Sequence, residues 1–113
     1  MSKRDWKLLL EDILDSIKKI EEFTNGLSYG DFEKNSLVTD AVVRNIEIIG
    51  EASKNIPTEI QQLFSDIPWQ KLRGIRNRIV HDYFDVNRNI IWYIVTKELE
   101  PLKKTIINHL QNN

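Results

Sequence analysis

The sequence has 113 residues, enough for one hydrophobic core and too few for two, so we expect a single domain over residues 1–113. Its formal net charge of -1 argues against a protein that coats nucleic acid through a broadly positive surface, and 41% apolar residues argue against disorder. The absence of cysteine excludes disulfides, thiolate metal sites and a cysteine nucleophile. The N-terminus has no signal-peptide pattern and no apolar run approaches the ~18 residues of a membrane span, so we expect a cytoplasmic protein.

Apolar residues recur at steps of three and four in four long segments, which predicts four long helices. They cover residues 3–23 with Ser2 as the cap, 36–55 with Ser36 as the cap, 68–83 with Pro68 in the first turn, and 88 to the C-terminus. A short helix is predicted over 59–64 and a loop over 28–31. Because no segment alternates as a strand does, the predicted fold class is all-α, an up-and-down bundle of four long helices plus a short one.

Glycine and proline positions refine this prediction. Asn25 and Gly26 end the first helix, because glycine accepts the left-handed conformation at a helix C-terminus. Gly50 lies inside the second helix at a cost of about 1 kcal/mol, which indicates close approach of another helix or of a second chain, and we favour packing within the chain. Pro101 lies inside the last helix and predicts a kink or a split near Glu98.

The densest polar chemistry lies in residues 76–83, with the sequence RNRIVHDY. Between positions 71 and 88 there are five basic residues against two acidic ones, so a polyanion would be attracted to this segment. On one continuous helix, Arg73, Asn77 and His81 would share a face and Arg76 would share another with Tyr83. Arg76 and His81 would lie about 140° apart, so they converge only if the arginine wraps across the helix or a partner chain supplies the facing group.

A histidine beside arginines suits the cleavage of RNA. Imidazole can move a proton near neutral pH, guanidinium groups can bind phosphate, and the 2′-hydroxyl of RNA is a built-in nucleophile, so no metal and no cofactor are needed. A structural role competes with this interpretation. His81 near a helix end could bind the last carbonyls, and Arg78 and Asp82 have the i,i+4 spacing of a surface ion pair. Spacing alone favours the structural role.

The motif nevertheless resembles the R-x4-H-x-Y signature of the HepT-like toxins, a branch of the HEPN ribonucleases. Further similarity is found in residues 48–52 (IIGEA), 67–69 (IPW) and 91–92 (IW), so that it spans about residues 5–110. The resemblance implies a homodimeric helical bundle with a composite site that cleaves RNA without a metal. It assigns His81 as the acid/base, Arg76 as the phosphate clamp and Asn77 as an orienting residue. The neighbouring Arg73 and Arg78 are expected to bind substrate.

The resemblance also implies a partner. Family members are typically encoded beside a nucleotidyltransferase antitoxin of the MntA type, which attaches AMP to the motif tyrosine, here Tyr83. Glu51 is either an ion-pair partner for a motif arginine or a residue of the site with another role. Two other readings stay open. One is a non-catalytic module that docks a nucleotidyltransferase and uses Arg76 and Arg78 as an anion site, and the other is a plain helical dimerisation domain.

Overall fold

In the computed structural model, which describes residues 5–82 and 85–112, helices account for most of the chain, in agreement with the predicted all-α class. A small antiparallel hairpin of two short strands interrupts them. In chain order the helices before the hairpin are α1 (Trp6–Thr24), α2 (Tyr29–Lys34), α3 (Ser36–Lys54), α4 (Thr58–Leu63), α5 (Trp69–Arg73) and α6 (Ile75–Ile79). The strands β1 (Val80–Asp82) and β2 (Asp85–Val86) follow, and then α7 (Arg88–Tyr93), a π-helical turn (Ile94–Glu98) and α8 (Leu99–Asn112).

The helix α1 provides one long wall of the core. Its apolar stripe at steps of three and four faces inward, as predicted, and its C-terminus is formed by Asn25 followed by Gly26 at φ 78°. Asp5 caps its N-terminus by accepting a hydrogen bond from the Lys7 backbone N–H at 2.7 Å, whereas the predicted cap Ser2 lies outside the described residues. Phe23, which the pattern assigned to the stripe, is 37% exposed because it falls at the edge of that face.

The predicted loop at residues 28–31 is wrong, because α2 begins there. The Ser28 side chain accepts from the Asp31 backbone N–H and the Asp31 carboxylate accepts from the Ser28 backbone N–H, each at 3.1 Å. This reciprocal pair satisfies N–H groups that would otherwise lack partners at the helix start. The helix buries Phe32 completely, with its ring 5.0 Å from that of Trp92 on α7.

Helix α3 packs closely against α5 and α6, and Gly50 makes this possible. Asn35, one residue before the predicted cap, caps α3 by accepting from the Val38 backbone N–H at 3.1 Å. A Cβ atom at Gly50 would lie 3.1 Å from Ile75 Cγ2 and 3.4 Å from the Leu72 carbonyl oxygen. Close packing within the chain therefore explains the glycine, as predicted.

The predicted continuous helix over residues 68–83 is wrong. The chain forms α5, bends at Gly74, forms α6, and leaves the helical conformation at Val80, which has φ -78° and ψ 121°. The carbonyl of Ile79 accepts a hydrogen bond at 2.6 Å from the backbone N–H of Asn87, the residue after β2, and this bond satisfies the end of α6. Pairing of β1 with β2 replaces the last predicted helical turn.

The last helical stretch changes its hydrogen bonding where Pro101 predicts a disruption. Residues 94–98 form a π-helical turn, in which the Leu99 backbone N–H donates to the carbonyl of Ile94, five residues earlier. Proline has no N–H for the carbonyl of Lys97, four residues before it, so regular α-helical bonding cannot continue there. The buried core lies between α1, α3, α6 and this stretch, with fully buried isoleucines at positions 13, 17, 20, 46, 49, 79, 91, 94 and 106.

Candidate functional site

The motif segment divides between a helix and a strand. Arg76 and Asn77 lie on α6 together with Arg78, whereas His81 lies on β1. The face shared by Asn77 and His81 on one helix is therefore not formed, since the helix ends at Ile79. The side chain of His81 and the whole of Tyr83 lie outside the described residues. Their predicted roles stay predictions.

Arg78 is anchored to the last helical stretch. Its Nη1 and Nη2 donate to the two carboxylate oxygens of Glu98 at 2.8 and 2.7 Å, and both side chains are partly buried. The two-pronged hydrogen bond lowers the pKa of Glu98 and raises the pKa of Arg78, while partial burial opposes each shift. Lys71 Nζ lies 3.7 Å from the same carboxylate.

Arg78 and Asp82 do not have the helical i,i+4 spacing on which the competing structural interpretation relied, and the side chain of Asp82 lies outside the described residues. The i,i+4 relation requires a helix through residue 82, and this residue belongs to β1. Among the described residues, Glu98 binds the guanidinium of Arg78. The local excess of positive charge is also smaller than the sequence suggests, because Glu98 neutralises Arg78 and lies beside Lys71.

Arg76 lies on the open side of α6. Its side chain is 65% exposed, and its Nε lies 3.4 Å from Glu47 Oε2 on α3. Glu47, one turn before Glu51, is thus the acidic neighbour of the motif arginine. Arg73 at the end of α5 is exposed and donates a hydrogen bond to Gln61 Oε1 on α4. Asn77 is exposed as well.

The open side can bind an anion. Arg73 and Arg76 present two guanidinium groups from α5 and α6. Among the described residues, the amide of Gln61 binds Arg73 and the carboxylate of Glu47 lies beside Arg76. Exposed ion pairs are worth about 0–1 kcal/mol, so a phosphate group could replace these partners at little cost. Among the described residues, no three His, Asp or Glu side chains lie close enough together to hold a metal ion.

Sequence reasoning missed the residues that divide the motif arginines into two groups. Glu98 follows Arg78 by 20 residues and Glu47 precedes Arg76 by 29, so no local spacing connects them. The useful signal for Glu98 was Pro101, which marked an irregular turn at that place but not its partner.

In the described part of the chain, no helix is long and apolar enough to cross a membrane.

Comparison with known proteins shows which family the chain belongs to. The family model described as Ribonuclease HepT-like matches residues 13–108. A protein of Thermococcus cleftensis named "Probable ribonuclease HepT" is 42% identical over 101 residues, which cover 89% of this chain and 92% of that protein. The "Putative RNase MJ1380" of Methanocaldococcus jannaschii is 40% identical over 106 residues, 94% of this chain and 97% of the relative. No solved structure matches the chain.

Proposed function

Because this chain belongs to the ribonuclease HepT-like family, we propose that it is an endoribonuclease that cleaves RNA without a metal ion. The observation that carries the proposal is the exposed guanidinium of Arg76, which stands at the start of the segment leading to His81. The names of the relatives support the same activity. Arg73 and Asn77, both exposed, extend the surface that would bind the RNA.

In the proposed reaction, His81 takes the proton from the 2′-hydroxyl of RNA. The 2′-oxygen attacks the adjacent phosphorus, the bond to the 5′-oxygen breaks, and the leaving oxygen receives a proton. The products are a 2′,3′-cyclic phosphate and a 5′-hydroxyl. Arg76 stabilises the negative charge that develops on the phosphate oxygens, because its donors match two oxygens at once.

We propose that the working form is a homodimer in which two copies of the motif share one cleft. A site with two histidines supplies a base for the 2′-hydroxyl and an acid for the leaving oxygen, whereas one chain contributes a single motif histidine. Arg78 has a different task in this scheme from the one its sequence position suggested. Its bond to Glu98 fixes α6, so Arg78 positions the segment that carries Arg76.

We further propose that the protein is the toxin of a toxin-antitoxin pair whose antitoxin is an MntA-type nucleotidyltransferase. The antitoxin would attach AMP to Tyr83: the phenolic oxygen attacks the α-phosphorus of ATP and pyrophosphate leaves. The added phosphate is negatively charged and would compete with RNA for Arg73 and Arg76. Intact-mass measurement after co-expression should find added AMP that is absent in Tyr83→Phe.

The activity is tested with purified protein in EDTA. Wild-type protein should cut a single-stranded RNA and leave cyclic phosphate ends, whereas His81→Ala should cut at least about 100-fold more slowly because the proton transfer is lost. Equal cleavage by both proteins would reject the role of His81. A chain that sediments as a monomer at micromolar concentration while still cutting RNA would reject the composite site.

A second candidate function is a non-catalytic module that binds a nucleotide or phosphate and docks a nucleotidyltransferase. The observation that favours it is the ion pair of Arg78 with Glu98. Because this pair occupies one motif arginine, the cations left on the open side are sufficient for binding an anion without cleavage. If this candidate is right, wild-type and His81→Ala proteins should bind RNA or nucleotide with the same affinity, and neither protein should cut RNA. Growth arrest on expression that disappears in Arg76→Ala together with lost cleavage would exclude it.

A further inference from the structure

A groove runs beside Arg76 between α3 and the pair α5–α6, with a volume of about 230 Å³. Its walls carry four basic and two acidic side chains, a local excess of two positive charges, namely Arg44, Lys54, Arg73 and Arg76 with Glu47 and Glu51. Gly50 lies where the two walls meet. The motif contributes one of the four cations, and α3 contributes two that belong to no motif.

We propose that this groove holds the sugar-phosphate backbone of single-stranded RNA beside the cleaved bond, and that Arg44 and Lys54 bind phosphates of that strand. The inference rests on the proposed ribonuclease function. Arg44 and Lys54 are ten residues apart on α3, which corresponds to about 15 Å along the helix. They can therefore contact different phosphates of one strand, on the wall opposite Arg73 and Arg76.

The electrostatics of the groove suit this ligand. In the described part of the chain, its one ion pair joins Arg76 to Glu47, and both Arg44 and Lys54 are exposed to solvent. Positive charge on both walls lets a strand lie between them, with each phosphate close to a cation. Two carboxylates, those of Glu47 and Glu51, lie between Arg44 and Lys54. They would repel an acidic protein surface that covered the whole of this wall, whereas separate phosphates can each lie beside a cation.

The dimensions also select a single strand. The walls are helices that pack directly on each other at Gly50, and the groove between them has a volume of only about 230 Å³, too small to admit a nucleic-acid duplex. A duplex could touch only its rim, whereas an extended strand can enter it. Proteins that bind single strands commonly use such a cationic channel to follow the backbone.

The test measures RNA binding separately from cleavage. A short fluorescent RNA with 2′-O-methyl groups cannot be cut by attack of its 2′-oxygen, and its dissociation constant is measured at several salt concentrations. The double variant Arg44→Gln/Lys54→Gln should bind about tenfold more weakly, and the slope of log affinity against log salt should fall by about 1.4, since each lost phosphate contact contributes about 0.7. The charge-preserving variant Arg44→Lys/Lys54→Arg should bind like wild type.

The matched control is Lys34→Gln/Lys104→Gln, which removes the same charge from α2 and α8, outside the groove. It should keep the wild-type affinity and salt slope within about twofold. With cleavable RNA, the groove variant should raise KM and leave kcat within about twofold, because neither side chain touches the reacting atoms. Circular dichroism confirms that each variant is folded.

Two results would overturn the proposal. One is equal loss of RNA affinity in the groove and control variants, which would mean that only net charge matters. The other is unchanged RNA binding in the groove variant. If that variant bound RNA normally but no longer bound a protein partner, the groove would be a protein-binding surface and the proposal would also be wrong. Failure of the ribonuclease function is a separate result, since wild-type protein would then leave cleavable RNA intact while the binding comparison still gave its answer.

Discussion

The two sides of α6 differ in how they hold arginines that are only two residues apart. On the closed side, Arg78 makes two hydrogen bonds of 2.8 and 2.7 Å to Glu98 in a partly buried setting. On the open side, Arg76 is 65% exposed and approaches Glu47 at 3.4 Å through one nitrogen. The same residue type thus builds the fold on one side and is available to a ligand on the other.

This difference teaches that the arginine content of a motif does not measure its capacity to bind phosphate. Removing the partner of a partly buried guanidinium costs stability, because a charge is left without full compensation, whereas an exposed guanidinium can exchange its partner. In this chain the closed side positions α6, and the open side joins the groove formed with α3. Substitutions on the two sides should therefore affect different properties.

The largest expected effect is the loss of activity in Arg76→Ala. Cleavage of single-stranded RNA should fall at least about 100-fold, or about 2.7 kcal/mol of transition-state stabilisation, while the free energy of unfolding changes by less than about 0.5 kcal/mol. Arg76→Lys keeps the charge but loses the paired donors, so its rate should be intermediate. Single-turnover kinetics and urea unfolding measure the two properties. Lost stability with retained cleavage would reverse the comparison.

The next effect is the loss of stability in Arg78→Ala, which should lower the free energy of unfolding by about 2 kcal/mol. The variant removes two charge-assisted hydrogen bonds and leaves Glu98 with the more distant Lys71. Lys71→Ala is the control and should cost less than about 1 kcal/mol, since that pair is longer and more exposed. If urea unfolding gives the two variants equal stability, the closed side is not the structural anchor.

A smaller effect concerns the pH dependence of the same anchor. Because Arg78 lowers the pKa of Glu98 in the folded state, the pair contributes its full stability above the ordinary glutamate pKa of about 4.3 and loses it as the pH falls through the lower folded value. The difference in unfolding free energy between wild type and Glu98→Gln should therefore shrink on acidification from neutral pH. A difference that stays constant down to pH of about 3 would contradict this linkage.

The smallest effect is expected on the open side in Glu47→Gln. Removal of the carboxylate beside Arg76 frees that guanidinium and makes the net charge of the groove more positive by one, so RNA should bind about threefold more tightly at low salt. The gain should disappear at high salt, where exposed charges are screened. Fluorescence anisotropy with uncleavable RNA measures it. Weaker binding would mean that Glu47 orients Arg76 rather than competing for it.

Sequence periodicity predicted the long elements because they carry many apolar positions. The helices α1 and α3 and the last helical stretch have unbroken apolar stripes. Gly26 marked the end of α1, Gly50 the close packing of α3, and Pro101 the irregular turn in the last stretch. Periodicity failed at α2, where the signal is the reciprocal capping of Ser28 and Asp31 over a six-residue helix. It also failed at Val80, whose apolar side chain continues the helical pattern although its backbone belongs to a strand.

The site was predictable in composition but not in arrangement. The motif residues could be recognised in order along the chain, and the basic character of residues 71–88 could be counted. The split between Arg76 and Arg78 depends on Glu47 and Glu98, which only the packing of distant helices brings near. Nothing in the local sequence distinguishes two arginines on either side of one asparagine.

The π-helical turn sets the rotational phase of the last helical stretch. A π-helical hydrogen bond spans five residues rather than four, so this turn contains one residue more than α-helical bonding would use. Deleting one residue before Glu98 would rotate that carboxylate by about 100° around the helix axis and carry it away from Arg78. A change of one residue in chain length there would thus act on the motif as strongly as replacing Arg78 itself.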